Sequence, residues 1–131
     1  MLIAVSTLTS CSSDESEEIT GVQSTEYKIV NAIGYGWAVE WKPVALNFSI
    51  DSTSKIEFTE QDNLIAVTVT KSNAPTRQVY IILSKTGNTY HTKNQTDTKS
   101  SFDFTVNDGI IEQSIYYENN LANKIVFTVS K

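Results

Sequence analysis

The sequence predicts an all-β fold, and within that class an antiparallel immunoglobulin-like β-sandwich, with a small barrel as the alternative. Three observations carry this. Apolar and polar residues alternate with a period of two from about Glu26 onward, the signature of half-buried strands. Clusters of Asn, Asp, Gly, Ser and Pro interrupt those runs, as turns require. The strand starts recur at roughly eight to twelve residues, the spacing of a sandwich. No stretch carries the 3.6-residue period of a helix.

The expected strands follow in order. Gly34 to Trp41 places Tyr35, Trp37, Val39 and Trp41 on one face and Gly34, Gly36, Ala38 and Glu40 on the other. Val44, Leu46, Phe48 and Ile50 then alternate with Ala45, Asn47 and Ser49. Ile65, Val67 and Val69 form the next apolar face, and Val79 to Leu83 is apolar on both faces, as a central strand would be. Phe102, Phe104 and Val106, then Ile125, Phe127 and Val129, complete the set. Between them lie Asp51 to Ser54, Gln61 to Asn63, Ser72 to Pro75, Thr86 to Asn88, Asn107 to Gly109 and Asn119-Asn120. Of these, Asn107-Asp108-Gly109 is the clearest hairpin turn, because Asp-Gly suits positive φ.

The first residues follow a different logic. Met1 to Leu8 is a short apolar segment, followed by Thr9, Ser10 and the only cysteine, Cys11. A short apolar run closing on small residues is the pattern of a secretory signal. Leu8-Thr9-Ser10-Cys11 resembles the lipobox of bacterial lipoproteins, in which the cysteine becomes the new N-terminus and its thiol carries the lipid. The acidic run Ser12 to Glu18 resembles the export signal behind the lipidated cysteine of Bacteroidetes-type surface lipoproteins. That resemblance implies a protein anchored by Cys11 in the outer membrane and facing outward. The basic residues that usually open such a signal are missing, so the true start is expected to lie further upstream. The implied organisation is a signal peptide over residues 1–10, a lipidated cysteine and acidic tether over 11–25, and one β domain over 26–131.

Composition narrows the function classes. A formal net charge of −5 argues against nucleic acid, since phosphate binding needs a basic face. Asp14, Glu15, Glu17 and Glu18 supply most of that charge; without them 11 acidic residues face 10 basic ones, so the acidity belongs to the tether. A single cysteine permits no internal disulfide, and the fold must stand on its core. No apolar run approaches the roughly 18 residues of a membrane-spanning helix.

Catalysis has little to draw on. His91 is the sole histidine, and no nucleophile elbow, zinc-protease motif or phosphate-cradling loop occurs, so the expectation is a non-enzymatic protein with no metal and no cofactor. Asp103, Asn107 and Asp108 offer hard oxygen ligands of the kind calcium takes, but a hairpin turn accounts for the Asn-Asp-Gly run.

Two candidate binding regions stand out. Tyr35, Trp37 and Trp41 gather both tryptophans of the chain and a tyrosine on one stripe. Such rings anchor β cores, which is the expected placement here; exposed, they would stack on sugar rings and form a glycan platform. The second region is the polar stretch Ser84 to Ser101, with Tyr90, His91 and Lys93 as candidate contacts. It reads equally as a long recognition loop or as a plain connection, with its centre, Asn88 to Lys93, forming an edge strand.

Val67-Thr68-Val69, Asn73, Arg77 and Val79-Tyr80-Ile81-Ile82 resemble the BACON domain of Bacteroidetes glycan-handling proteins. The likeness covers residues 67–82 alone, the closing glutamine-bearing strand of that family is not evident, and no binding residues are carried over from it. The expected function is a lipid-anchored surface module that captures a glycan, or alternatively a protein partner as an immunity, inhibitor or assembly factor.

Overall fold

In a computed structural model, the structure describes residues 24–37 and 39–131; Cys11, the expected lipidation site, and the acidic run lie outside them. Nine strands follow one another: β1 (Ser24–Trp37), β2 (Trp41–Val44), β3 (Lys55–Thr59), β4 (Leu64–Lys71), β5 (Ala74–Thr86), β6 (Thr89–Asn94), β7 (Ser100–Asn107), β8 (Ile110–Tyr117) and β9 (Asn120–Ser130). A single 3₁₀ turn, Glu60–Asp62, joins β3 to β4.

The chain is all-β as expected, but it is a closed barrel and not an immunoglobulin-like sandwich. Each strand from β3 to β9 pairs antiparallel with the next, and β1 pairs with β3 through Ser24 to Lys28. The last strand then returns to the first: β9 pairs with β1 from Asn123↔Gly36 to Ser130↔Lys28. That pairing closes an eight-strand ring in which β2 is an extra ribbon on the C-terminal half of β1. Sandwich and barrel demand the same apolar-in, polar-out alternation. What separates them is strand order and closure: a sandwich divides its strands between two sheets by Greek-key connections, whereas here consecutive strands pair in one sheet whose ends meet.

The hairpin turns form at the turn residues or one position away, the expected Asn119-Asn120 turn falling on Glu118-Asn119. Ser72 and Asn73 take φ 51° and 65°, and Glu118 and Asn119 take 49° and 69°, the doubly positive geometry that matches strand twist. Gly87 at φ 61° and Gly109 at φ 75° serve the β5–β6 and β7–β8 turns. These tight connections correct the expectation of a long loop over Ser84 to Ser101. Most of that stretch is hairpin, and β6 is an interior strand of the ring between β5 and β7.

Inside the ring, Ile29, Ile56, Phe58, Ile65, Tyr80, Tyr90, Phe104, Ile111 and Phe127 are buried. Eight strands leave an interior that side chains can fill, and rings do so here: Phe58 meets Tyr90 at 5.0 Å and Tyr80 meets Phe104 at 5.1 Å between centroids. Each such side chain contributes about 1.5–3 kcal/mol by leaving water. Outside, Lys55 reaches Glu26 at 2.9 Å and Arg77 lies 3.9 Å from Glu57. Apolar inside and charged outside is the inverse of a membrane-spanning barrel.

One expected strand is not a strand. Beyond Val44 the chain leaves β2 and crosses one end of the barrel, touching the sheet through the single bridge Ser49↔Thr70. Phe48 stacks on Phe127 at 6.4 Å, and Ile50 also packs on the core. The alternation seen in the sequence is therefore that of an extended segment laid over the barrel's end, which needs a buried and an exposed side as much as a strand does. Asp51 secures its exit, accepting from the Thr53 amide at 2.8 Å and from the Thr53 and Thr70 hydroxyls.

Candidate binding face on the outer wall

The aromatic stripe faces outward, and one residue is responsible. Where β9 pairs with β1, Val129 opposes Ile29 and Thr128 opposes Asn31, so Val30 is an unpaired extra residue. A bulge of this kind reverses which side chains point inward. Before it, Tyr27 and Ile29 share the inner face with their partners; beyond it, Ala32, Gly34 and Gly36 oppose Phe127, Ile125 and Asn123. Tyr35 and Trp37 are thereby turned to the outside. Trp37 is 53% exposed and Trp41 half-buried, which corrects the expectation that these rings fill the core.

The stripe is also folded in two. The chain reverses at Val39 and Glu40, so Trp41 lies directly across from Trp37 in the β1–β2 ribbon. Their rings are 5.2 Å apart, tilted by 57°. Val39, expected on the same face, sits at the reversal and is 90% exposed. A second irregularity, at Ala122 in β9, sets Leu121 opposite the outward Tyr116. Trp37, Trp41 and Leu121 together line a shallow cleft of about 200 Å³. Lys124 closes its flank, with Nζ 4.7 Å over the Trp41 ring, 5.7 Å over Tyr35 and 4.0 Å from Glu112.

From this aromatic end a polar track runs around the barrel. Directly paired residues on successive strands are Tyr35, Lys124, Ser114, Asp103 and His91. Four strand spacings give it a length of roughly 19 Å. Beside it runs a second row, Leu121, Tyr116, Ser101 and Lys93. His91 is held in place, its Nδ1 3.1 Å from Asp103 Oδ1 and its Nε2 3.2 Å from Thr86 Oγ1. Burial pushes the Tyr116 phenol up, and the Asp103 and Glu112 carboxylates push the same way, so it remains a neutral hydroxyl. The wall thus offers ring faces at one end and hydroxyl, imidazole, ammonium and carboxylate groups along its length.

Five of the six residues singled out from the sequence therefore share this wall: Tyr35, Trp37, Trp41, His91 and Lys93. Tyr90 does not. It is 7% exposed and lies inside the barrel, against Phe58, with the Lys85 Nζ 4.8 Å over its ring. It and His91 are adjacent on β6, so one points in as the other points out. Among the described residues no group of three His, Cys, Asp or Glu side chains is placed to hold a metal. Asp103 belongs to the outer track, and Asn107 at the end of β7 accepts from Asn88 Nδ2 at 2.8 Å.

Lys124, Leu121 and Tyr116 were not singled out from the sequence. The alternation of Ile111, Gln113 and Ile115 with Glu112, Ser114 and Tyr116 carries the outer face of β8. Nothing local says that β9 lies beside β1 and brings Lys124 to the tryptophans.

Comparison with protein families, curated proteins and solved structures finds no match to the chain.

Proposed function

We propose that this protein is a non-catalytic, lipid-anchored binding module of the bacterial cell surface, and that its outer wall takes a glycan. The observation that carries the reading is the outward pair Trp37 and Trp41, set 5.2 Å apart beside Lys124. Exposed apolar patches on a soluble face are uncommon without a partner. Ring faces match the apolar faces of sugars, and the row Ser114, Asp103 and His91 supplies donors and acceptors for hydroxyls along an extended chain. The lipobox at Cys11 and the acidic run behind it support attachment at the cell surface, where such a wall meets polysaccharide. Tethering there raises the local concentration of ligand and protein, so each contact can be weak.

The test is a titration of the protein with a panel of polysaccharides, followed by tryptophan emission and by calorimetry. The expected result is saturable quenching with at least one polysaccharide, weakened about tenfold or more by Trp37→Ala or Trp41→Ala, as when a binding anchor is truncated. Absence of response across the panel overturns the glycan reading. In cells, Cys11→Ser is expected to abolish incorporation of labelled fatty acid; unchanged labelling overturns the anchor.

One observation favours a protein partner instead. The outer edge of β2 (Trp41–Val44) has no strand beside it among the described residues, and a free edge can add a partner's strand. Pro43 within it removes one donor and blunts that edge. Capture of one stoichiometric protein, with no glycan response, supports this alternative.

A further inference from the structure

The barrel has a second feature, inside and separate from the outer wall. At the end crossed by Phe48, inward residues of β4, β5, β7, β8 and β9 surround a cavity of about 180 Å³. Much of its wall is apolar, with Val67, Val69, Phe102, Ile115 and Phe127 among the lining side chains, and Asn47 and Lys71 line it as well. A cavity of about 150 Å³ lined by aliphatic and aromatic groups accommodates a benzene ring. This one has that capacity and a little more.

The additional space is polar. Tyr80 and Gln113, each 4% exposed, and Gln78 line the same cavity. The Tyr80 hydroxyl donates to Gln78 Oε1 at 2.9 Å and accepts from Gln113 Nε2 at 3.3 Å. That uses one polar group of each amide. Among the described residues the other two, the Gln78 amide NH₂ and the Gln113 carbonyl oxygen, have no side-chain partner. A phenol has a single proton to donate, so turning both amides over still leaves one donor and one acceptor. Burial pushes the Tyr80 phenol up, which keeps that proton in place. Leaving a deeply buried carbonyl without a partner is costly.

We infer that this cavity is a binding site for a small aromatic molecule bearing one hydroxyl group, a simple phenol. The ring occupies the apolar chamber, and the hydroxyl accepts from one glutamine amide while donating to the other. A hydrocarbon of the same size fills the chamber but leaves both amides unpaired. An anion accepts but cannot donate.

The experiment uses the full protein with 4-fluorophenol and fluorobenzene, each followed by fluorine NMR to about 10 mM. The expected result is saturable binding of both, with the phenol tighter by about 5- to 10-fold for its two hydrogen bonds. Val69→Phe, which fills the chamber, is expected to abolish both, whereas Trp37→Ala leaves them unchanged. Gln113→Met, similar in volume, is expected to erase the preference for the hydroxyl while fluorobenzene still binds, and it serves if the Val69 variant does not fold. No binding of either compound, equal affinity for the two in the wild type, or loss on Trp37→Ala with retention on Val69→Phe each overturns the assignment. None of these outcomes depends on whether the outer wall takes a glycan.

Discussion

Asp51 shows how much one surface side chain can organise. Its carboxylate accepts from the Thr53 amide and from two hydroxyls, Thr53 on its own turn and Thr70 at the far end of β4. The segment carrying Phe48 and Ile50 is thereby tied to the barrel at a point beyond its one bridge. These hydrogen bonds, the Thr53 hydroxyl foremost, hold the carboxyl below its ordinary value of 3.8. A carboxylate whose pKa is lower in the folded chain than in the unfolded one adds stability above the unfolded value. That contribution is lost as the pH falls through the folded value. Asp97 is shifted the same way by Ser100 and the Lys99 amide. The expected outcome is that Asp51→Asn lowers the thermal midpoint at neutral pH, and that the gap from wild type narrows and closes as the pH drops below 3.8. Melting curves from neutral to acid pH check it; a gap constant with pH would mean that the carboxylate charge plays no part.

At the scale of the element, β1 decides where the candidate site lies. Its side chains can be assigned to faces only if Val30 is known to be unpaired, since one extra residue exchanges inside and outside for everything after it. Counting by twos from Ile29 sends Tyr35 and Trp37 into the core; counting across the bulge sends Gly34 and Gly36 there. The sequence holds a trace of the true register, because the inward positions Ala32, Gly34 and Gly36 are all small. At the two glycines the space is close: a Cβ on Gly34 would meet Leu46 Cδ2 at 2.7 Å, and one on Gly36 would meet Val44 Cγ1 at 3.1 Å, so a larger residue there requires those side chains to shift. The hairpins were legible for the opposite reason. Ser72-Asn73, Gly87 and Asp108-Gly109 carry their conformation locally, whereas a bulge is a relation between two strands. Deleting Val30 should therefore be far worse than truncating it. Val30→Ala removes an exposed side chain and is expected to change stability by no more than about 0.5 kcal/mol. Removing the residue drives Tyr35 and Trp37 toward the space held by the glycines, and cooperative unfolding should disappear. A deletion variant that melts like wild type, with unchanged tryptophan emission, would show that the bulge does not set the register.

Across the whole molecule, two features separate the observed barrel from the expected sandwich: neighbouring strands are consecutive in one sheet, where an immunoglobulin-like sandwich divides Greek-key strands between two, and the two ends of the described chain pair. All other neighbours in the ring except β1 and β3 are consecutive strands, joined by a tight turn or short connection that the sequence announces. The β9–β1 seam joins residues some ninety positions apart, and alternation in each strand is the same whether or not they meet. Closure has a consequence that alternation lacks, because it leaves no edge on β9. Successive amides of a strand point to opposite neighbours. In an open sheet every second amide of the last strand would face water and exchange its hydrogen quickly, giving a period-two pattern. In the ring, Asn123 to Thr128 are paired with β8 on one side and with β1 on the other. Their amides should all be protected, exchanging only when the barrel opens globally. The three amides of β2, those of Trp41, Lys42 and Val44, belong to a strand bonded along one side alone and should exchange first among the strands. Residue-resolved hydrogen exchange by NMR reads this directly, and alternating fast and slow amides along β9 would mean that the ring is open at its seam. Because Lys124 reaches Trp41 and Tyr35 only across that seam, the same alternation would also dissolve the outer-wall track.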